Sequence, residues 1–280
     1  MSFLEQAKKP KSEAPIITIV GSPGVGKTSM AGLFPNPIFI QAEDAGTVFE
    51  NWDEDVQPTL LPVLPKSAKD AAGNMTVSTK DTLLAQMREL ATAEHDFKTL
   101  VVDSITALNV KFESEIAMRD SVGNVADAAG GYHKGYIEVA QWHSDFVYAC
   151  DILRKRKGMA VVLLAHVGVH KVKNRPDEAA EYTVYSLDMH RASAERYISN
   201  SDAVLYIKKE EFVSGTETNR KGQTTKYGRA MQTGERVLIT SGDGLTGFVS
   251  AKNRYQMPVE IPLPLGQNPV LQYIKHFNQA

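Results

Sequence analysis

The chain has 280 residues, 42% of them hydrophobic and 23% charged, with a formal net charge of −2. That length supports one large α/β domain with a sizeable core. No apolar run approaches the roughly 20 residues of a membrane span, and the near-neutral charge excludes a globally basic nucleic-acid coat while leaving local basic patches open. Cys150 is the only cysteine, which excludes an intrachain disulfide and a cysteine zinc cluster and fits a cytoplasmic protein.

Residues 1–14 carry three lysines and no signal-peptide stretch, and read as a flexible lead-in to a single domain over residues 15–280. Ile16 to Val20 is an apolar run of strand length. Gly21, Ser22, Pro23, Gly24, Val25, Gly26, Lys27 and Thr28 follow and fit the phosphate-loop pattern G-x-x-x-x-G-K-[ST]. A helix-compatible stretch to Leu33 comes next, so the order strand, glycine loop, helix is the context that this motif requires. Pro35 and Pro37 mark a turn, and Ile38-Phe39-Ile40 is a short buried strand leading to Glu43 and Asp44. Trp52 to Gly73 reads as loop. Ser78 or Thr79 caps a helix to about Ala93, with Leu83, Leu84, Met87 and Leu90 on one face.

Lys98 to Asp103 is the next strand, followed by a helix from Thr106 to Arg119. Gly123 to Gly135 is rich in glycine and alanine and reads as a mobile loop. Ile137 to Lys155 is a long helix with Val139, Trp142, Phe146 and Cys150 toward the core. Met159 to Ala165 is a continuous apolar strand ending at His166. Val169 to Arg196 has no clear period and reads as a loop. Asp202 to Ile207 is another strand, and residues 208–265 hold short β-like runs at Phe212-Val213, Arg229 to Thr233, Arg236 to Thr240 and Gly247 to Ser250. Strands alternating with helical segments predict an α/β fold, a mainly parallel sheet flanked by helices, with an antiparallel β extension at the C-terminus.

The chemistry sits at the strand ends. In the phosphate loop the glycines let backbone N–H groups form a concave nest for phosphate oxygens, and the helix beginning near Lys27 points its positive dipole end at them. Lys27 is placed to reach the β- and γ-phosphates and Thr28 to bind Mg²⁺; Ser29 completes the nucleotide-binding set. Asp103, at the tip of Leu100-Val101-Val102, reads either as a Mg²⁺ ligand beside that loop or as the cap of the following helix. Glu43 is the candidate base for the attacking water, since Asp103 is followed by Ser104 rather than a glutamate; a solvated loop acid is its alternative. His166 is either a γ-phosphate sensor or a satisfied structural histidine. Lys252 and Arg254, two cations on one extended segment, read as a solvated basic turn or as a finger for a neighbouring subunit's site. Tyr132, His133 and Lys134 in one loop and Lys171, Lys173, Arg175 and Arg191 in another read as solvated loops, or, if the fold brings the two together, as a source of base stacking and phosphate neutralisation.

The order of these motifs resembles a RecA-type P-loop ATPase core, over Ile16 to Pro264, and within it the small phage-encoded single-strand annealing or recombination ATPases that carry Ala-Lys-Asn-Arg, here Ala251 to Arg254. The resemblance implies a RecA-like fold, ATP and Mg²⁺ as cofactors, and ATP hydrolysis with Glu43 as catalytic glutamate and His166 as sensor. It implies Lys252 and Arg254 acting on a neighbour's site in a ring or filament, and both loops lining a single-stranded DNA surface. A single-stranded DNA-binding protein is an implied partner, and the host cytoplasm the location. The chain departs from bacterial RecA in lacking the Asn-Gln sensor pair and a recognisable large C-terminal domain, which bears on strand exchange more than on hydrolysis. A hexameric helicase-like motor and a P-loop kinase that does not act on DNA are the alternative readings.

Overall fold

The computed structural model describes residues 12–172, 182–214, 217–218, 224–226, 229–242 and 250–278. The chain begins with β1 (Ile16–Gly21), whose residues are all buried, and turns through the glycine loop into a short α1 (Lys27–Gly32). β2 (Pro37–Gln41) and β3 (Thr59–Leu60) follow, then a small ribbon of β4 (Ala68–Lys69) and β5 (Met75–Val77). Trp52 to Gly73 is therefore not loop throughout: β3 extends the main sheet by pairing in parallel with β2. α2 (Thr79–Thr92) starts where the Ser78 hydroxyl accepts the Asp81 N–H at 3.0 Å. β6 (Thr99–Asp103) leads into α3 (Ile105–Arg119).

Gly123 to Tyr136 follows that helix rather than a strand tip. Part of it is ordered by Asn124, whose side chain accepts from the Ala126 and Asp127 amides. α4 (Lys134–Lys157) then runs 24 residues and places Val139, Trp142, Phe146 and Cys150 in the core, the face that the helical period marks. β7 (Ala160–Val172) does not end at His166; it continues and pairs antiparallel with β8 (Tyr182–Leu187). α5 (Arg191–Asn200) follows. The described part of the stretch expected as loop is thus a hairpin and a helix. The reason is composition: Val169, Val172, Tyr182, Thr183, Val184 and Tyr185 favour strands, but they are interspersed with polar residues without a strict period of two.

The remaining strands are β9 (Ala203–Ser214), β10 (Glu217–Thr218), β11 (Thr224–Lys226), β12 (Arg229–Ile239), β13 (Lys252–Asn253) and β14 (Glu260–Pro262). Phe212-Val213 is part of β9, and the two runs expected at Arg229 and Arg236 merge into β12 across a register shift between Gln232 and Arg236. Of the run expected at Gly247 to Ser250, Gly247, Phe248 and Val249 lie outside the described residues.

Among the described residues, ten strands form one sheet in the order β14-β12-β9-β1-β7-β6-β2-β3, with β13 on β9 and β8 on β7. The centre, β9-β1-β7-β6-β2-β3, is parallel, and the C-terminal strands add to it antiparallel. β1 sits in the middle, with β7 between it and the strand that carries Asp103, a mainly parallel sheet as expected from the sequence. Side chains alternate across the sheet. Val20, Ile40, Val102 and Leu163 pack under α2 to α5. Ile19, Phe39, Val101 and Leu164 pack under α1 and the C-terminal segment through Leu263, Val270 and Ile274. Each fully buried Leu, Ile or Val in these layers contributes about 1.5–3 kcal/mol of hydrophobic stabilisation. No helix among the described residues is long and apolar enough to cross a membrane.

Candidate functional site

Parallel packing brings the C-terminal ends of β1, β2 and β6 and the middle of β7, at His166, into one crevice, the place where open α/β sheets present ligand sites. A cleft there is lined by Gly24, Gly26, Lys27, Thr28, Ser29, Glu43, Asp103 and His166. Gly24 and Gly26 adopt φ of +71° and +98°, a left-handed turn that a side chain resists and that glycine accepts without strain. Lys27 is almost fully buried. Its Nζ donates to the carbonyls of Gly21 at 2.9 Å and Ser22 at 3.1 Å. Burial pulls its pKa below the usual lysine value, and the charges of Asp103 and Glu43 partly oppose that.

Asp103 is not the cap of the following helix. Ser104 caps α3, its hydroxyl accepting the Ala107 N–H at 3.2 Å. Asp103 is left to turn the other way and accept the Thr28 hydroxyl at 2.7 Å. Burial raises its pKa, with the Thr28 hydrogen bond acting against the rise. Thr28 and Asp103 form a hard oxygen pair suited to Mg²⁺ completed by phosphate and water oxygens. Among the described residues no cluster of three or more His, Cys, Asp or Glu could hold a metal by itself.

Glu43 and Asp44 both line the cleft, but the Asp44 carboxylate is engaged in a short turn, where it accepts the Gly46 N–H at 2.9 Å. Glu43 Oε1 accepts the Ser104 hydroxyl at 2.7 Å and lies 3.5 Å from His166 Nε2. The His166 interaction is the largest influence holding its carboxyl below the usual range, while partial burial works against it. It is therefore ionised at neutral pH, the state a base needs. The second ring nitrogen of His166 lies 3.5 Å from Lys27 Nζ, and its backbone N–H donates to the Thr106 hydroxyl at 2.8 Å. His166 thus bridges the lysine that would hold the terminal phosphate and the carboxylate that would direct water.

The remaining expected residues lie elsewhere. Lys252 is level with Val204 and so with Thr18, toward the opposite end of the β1–β9 ladder from Gly21. Its Nζ donates to the Ile198 and Ser199 carbonyls, closing the C-terminus of α5. Arg254 donates to Asp202 at 2.8 Å and remains 58% exposed. Neither reaches its own chain's cleft. Tyr132 is 92% exposed, and Lys134 and Arg191 open α4 and α5. Tyr136 stacks on His190 at 4.6 Å and on His133 at 6.0 Å, so the fold joins the two segments. Lys171 is exposed on β7; Lys173 and Arg175 lie outside the described residues.

Sequence reasoning missed Thr106 and Arg236. A hydroxyl two residues after the capping serine carries a weak positional signal for Thr106. Arg236 donates to the Val25 carbonyl at 3.1 Å across a sequence separation of 211 residues, and no local pattern announces it.

A family profile described as an AAA domain, AAA_24, matches residues 13–255, and so takes in the phosphate loop, Glu43, Asp103 and His166. The chain belongs to this AAA domain family. Membership of the AAA domain family accounts for a glycine loop, a lysine, a hydroxyl and two carboxylates meeting in one cleft. The AAA domain here also resembles a solved structure, the KaiC-like protein PH0186 from the hyperthermophilic archaeon Pyrococcus horikoshii OT3. The identity is 14%, the coverage 91% of this chain and 88% of that one, and the TM-score 0.41. None of the curated proteins matches the chain in sequence.

Proposed function

We propose that this AAA domain hydrolyses ATP with Glu43 as the base, and works as an oligomer on single-stranded DNA in annealing or recombination, in the cytoplasm of a host if phage-encoded. The observation that carries the hydrolytic part is the convergence of Lys27, Thr28, Glu43, Asp103 and His166 on one cleft. Lys27 and the loop amides bind and orient the phosphates. Thr28 and Asp103 would hold Mg²⁺, which would supply charge neutralisation at the phosphates. Glu43 orients the attacking water and takes its proton.

The DNA part is supported by the stack of His133, Tyr136 and His190. Stacking platforms bind bases without reading sequence. The stack is tied to the cleft by a short path: the Asp188 N–H donates to the His166 carbonyl at 2.9 Å, two residues before His190. A shift of His166 on loss of the γ-phosphate would be felt at the stack.

ATP turnover measured at low salt with and without single-stranded DNA tests this reading; stimulation together with binding supports it. Tyr132→Ala, at a ring 92% exposed beside this stack, is expected to weaken DNA binding by about 1–3 kcal/mol, the usual worth of one base–aromatic stack. Absence of both binding and stimulation would remove the DNA assignment, and directional unwinding of a forked duplex would move it to a helicase-like motor.

A further inference from the structure

The phosphate loop is held from outside by a residue of the C-terminal strands. Arg236 lies on β12 opposite Lys209 of β9, and Ile207 of β9 is level with Gly21 of β1. Arg236 therefore stands two residues beyond the end of β1, beside the loop. Its Nη1 donates to the Val25 carbonyl at 3.1 Å. A Cβ placed on Gly26 would lie 2.0 Å from the same nitrogen, so the guanidinium packs directly on that glycine.

The geometry of one peptide gives this contact a consequence. In a planar trans peptide the C=O of one residue and the N–H of the next point in opposite directions. A donor that fixes the Val25 carbonyl outward aims the Gly26 N–H the other way, into the cleft that Gly26 lines. Gly26 has φ of +98°, so its freedom to rotate is wide, and an unpinned loop would spend time with that amide turned away. An amide fixed before the phosphate arrives costs less ordering on binding. The backbone of Arg236 is fixed independently of its side chain: its carbonyl accepts the Leu263 N–H at 2.8 Å.

We infer that Arg236 is a positioning residue for nucleotide binding, which pins the Val25–Gly26 peptide so that its amide faces the phosphates and makes the β9–β12 ribbon part of the nucleotide site. The inference rests on the phosphate-loop reading of Gly21 to Thr28. It differs from a role in folding, because it predicts a change in nucleotide affinity in a protein whose unliganded stability is kept.

Titration of the full chain with a fluorescent ADP analogue, alongside ATP turnover and unliganded melting, tests it. Arg236→Ala is expected to weaken ADP binding by about tenfold, the usual scale for losing a charge-assisted hydrogen bond. Turnover at saturating ATP is expected to stay within about threefold of wild type, a binding rather than a catalytic signature. Arg236→Lys, which keeps a charged donor, should recover most of the affinity. Where Arg236→Ala does not fold, Arg236→Gln decides the matter, and is expected to bind more weakly than wild type at an unchanged melting temperature. Wild-type affinity in a folded Ala or Gln variant overturns the inference, as does a loss of affinity that only parallels a loss of unliganded stability. A wild-type chain that binds no ADP overturns the phosphate-loop reading itself.

Discussion

Ser104 divides two tasks that one strand-ending acid would otherwise share. It caps α3 and donates to Glu43, and Asp103 is free to face Thr28. The division leaves a buried carboxylate with a raised pKa, and its effect on stability has a definite sign. The folded chain holds this proton more tightly than the unfolded chain, so stability falls as pH rises from the ordinary aspartate range through the folded pKa. At neutral pH ionised Asp103 is a standing cost in the unliganded protein. Asp103→Asn, which preserves an acceptor for Thr28, is expected to raise the unliganded melting temperature by about 2 °C or more at pH 7 and to abolish Mg²⁺-dependent turnover. Melting curves and a Mg²⁺ titration of turnover check both; a lower melting temperature would contradict the assigned burial cost.

At this scale much of the site was legible. The glycine loop has a fixed spacing, and Glu43, Asp103 and His166 each follow an apolar run of strand length, so their positions imply convergence once the sheet is parallel. Arg236 was not legible, because a single arginine in a β-run reads the same whether it faces water or a loop 211 residues earlier.

At the scale of elements, α3, α4 and α5 are bound together by one buried polar network. His143 is fully buried, with its Nδ1 2.5 Å from the Tyr197 hydroxyl and its Nε2 3.1 Å from Asn109 Oδ1. The Asn109 amide donates its other end to Glu113 at 2.8 Å, which orients the oxygen toward His143. Nε2 therefore carries the proton and Nδ1 accepts from Tyr197, the arrangement of a neutral ring. Burial pushes the His143 pKa from the usual 6.5 down to about 3. Between those values the unfolded chain takes up a proton that the folded chain refuses, so stability rises with pH through the window and is lost on acidification. His143→Gln is expected to flatten this acid dependence while costing about 1–3 kcal/mol at neutral pH through broken buried hydrogen bonds. Melting temperatures from pH 3 to 7 for both proteins check it; parallel curves would contradict a neutral buried histidine.

α2, α3 and α4 were read well from caps and 3.6-residue spacing, as with Ser78 and α2, whereas α5, short and polar, was not. Nor was the β7–β8 pair, because its exposed face carries Val169 and Tyr185, which blur any in–out alternation, and its pairing is tertiary rather than a local pattern.

At the scale of the whole molecule, the two halves of the proposed shared site lie apart. The nucleotide cleft is at the C-terminal end of the parallel strands, and Lys252 and Arg254 are toward the opposite end. Within one chain both cations are engaged, Lys252 with α5 and Arg254 with Asp202, which also holds Arg154 and the Ile16 amide. A neighbour's phosphates would therefore compete with Asp202 for Arg254. Mixing Lys27→Ala with Arg254→Ala subunits is expected to restore part of the turnover that each variant lacks alone; no restoration between two folded variants would contradict a shared site.

The account turns on Glu43 as the base within a cleft that holds ATP without it. ATP binding and turnover of Glu43→Gln, measured with Mg²⁺ beside wild type, test that most directly. The prediction is wild-type affinity with turnover lowered by about 100-fold or more, the scale of a lost general base; a variant that turns over ATP at the wild-type rate would contradict it.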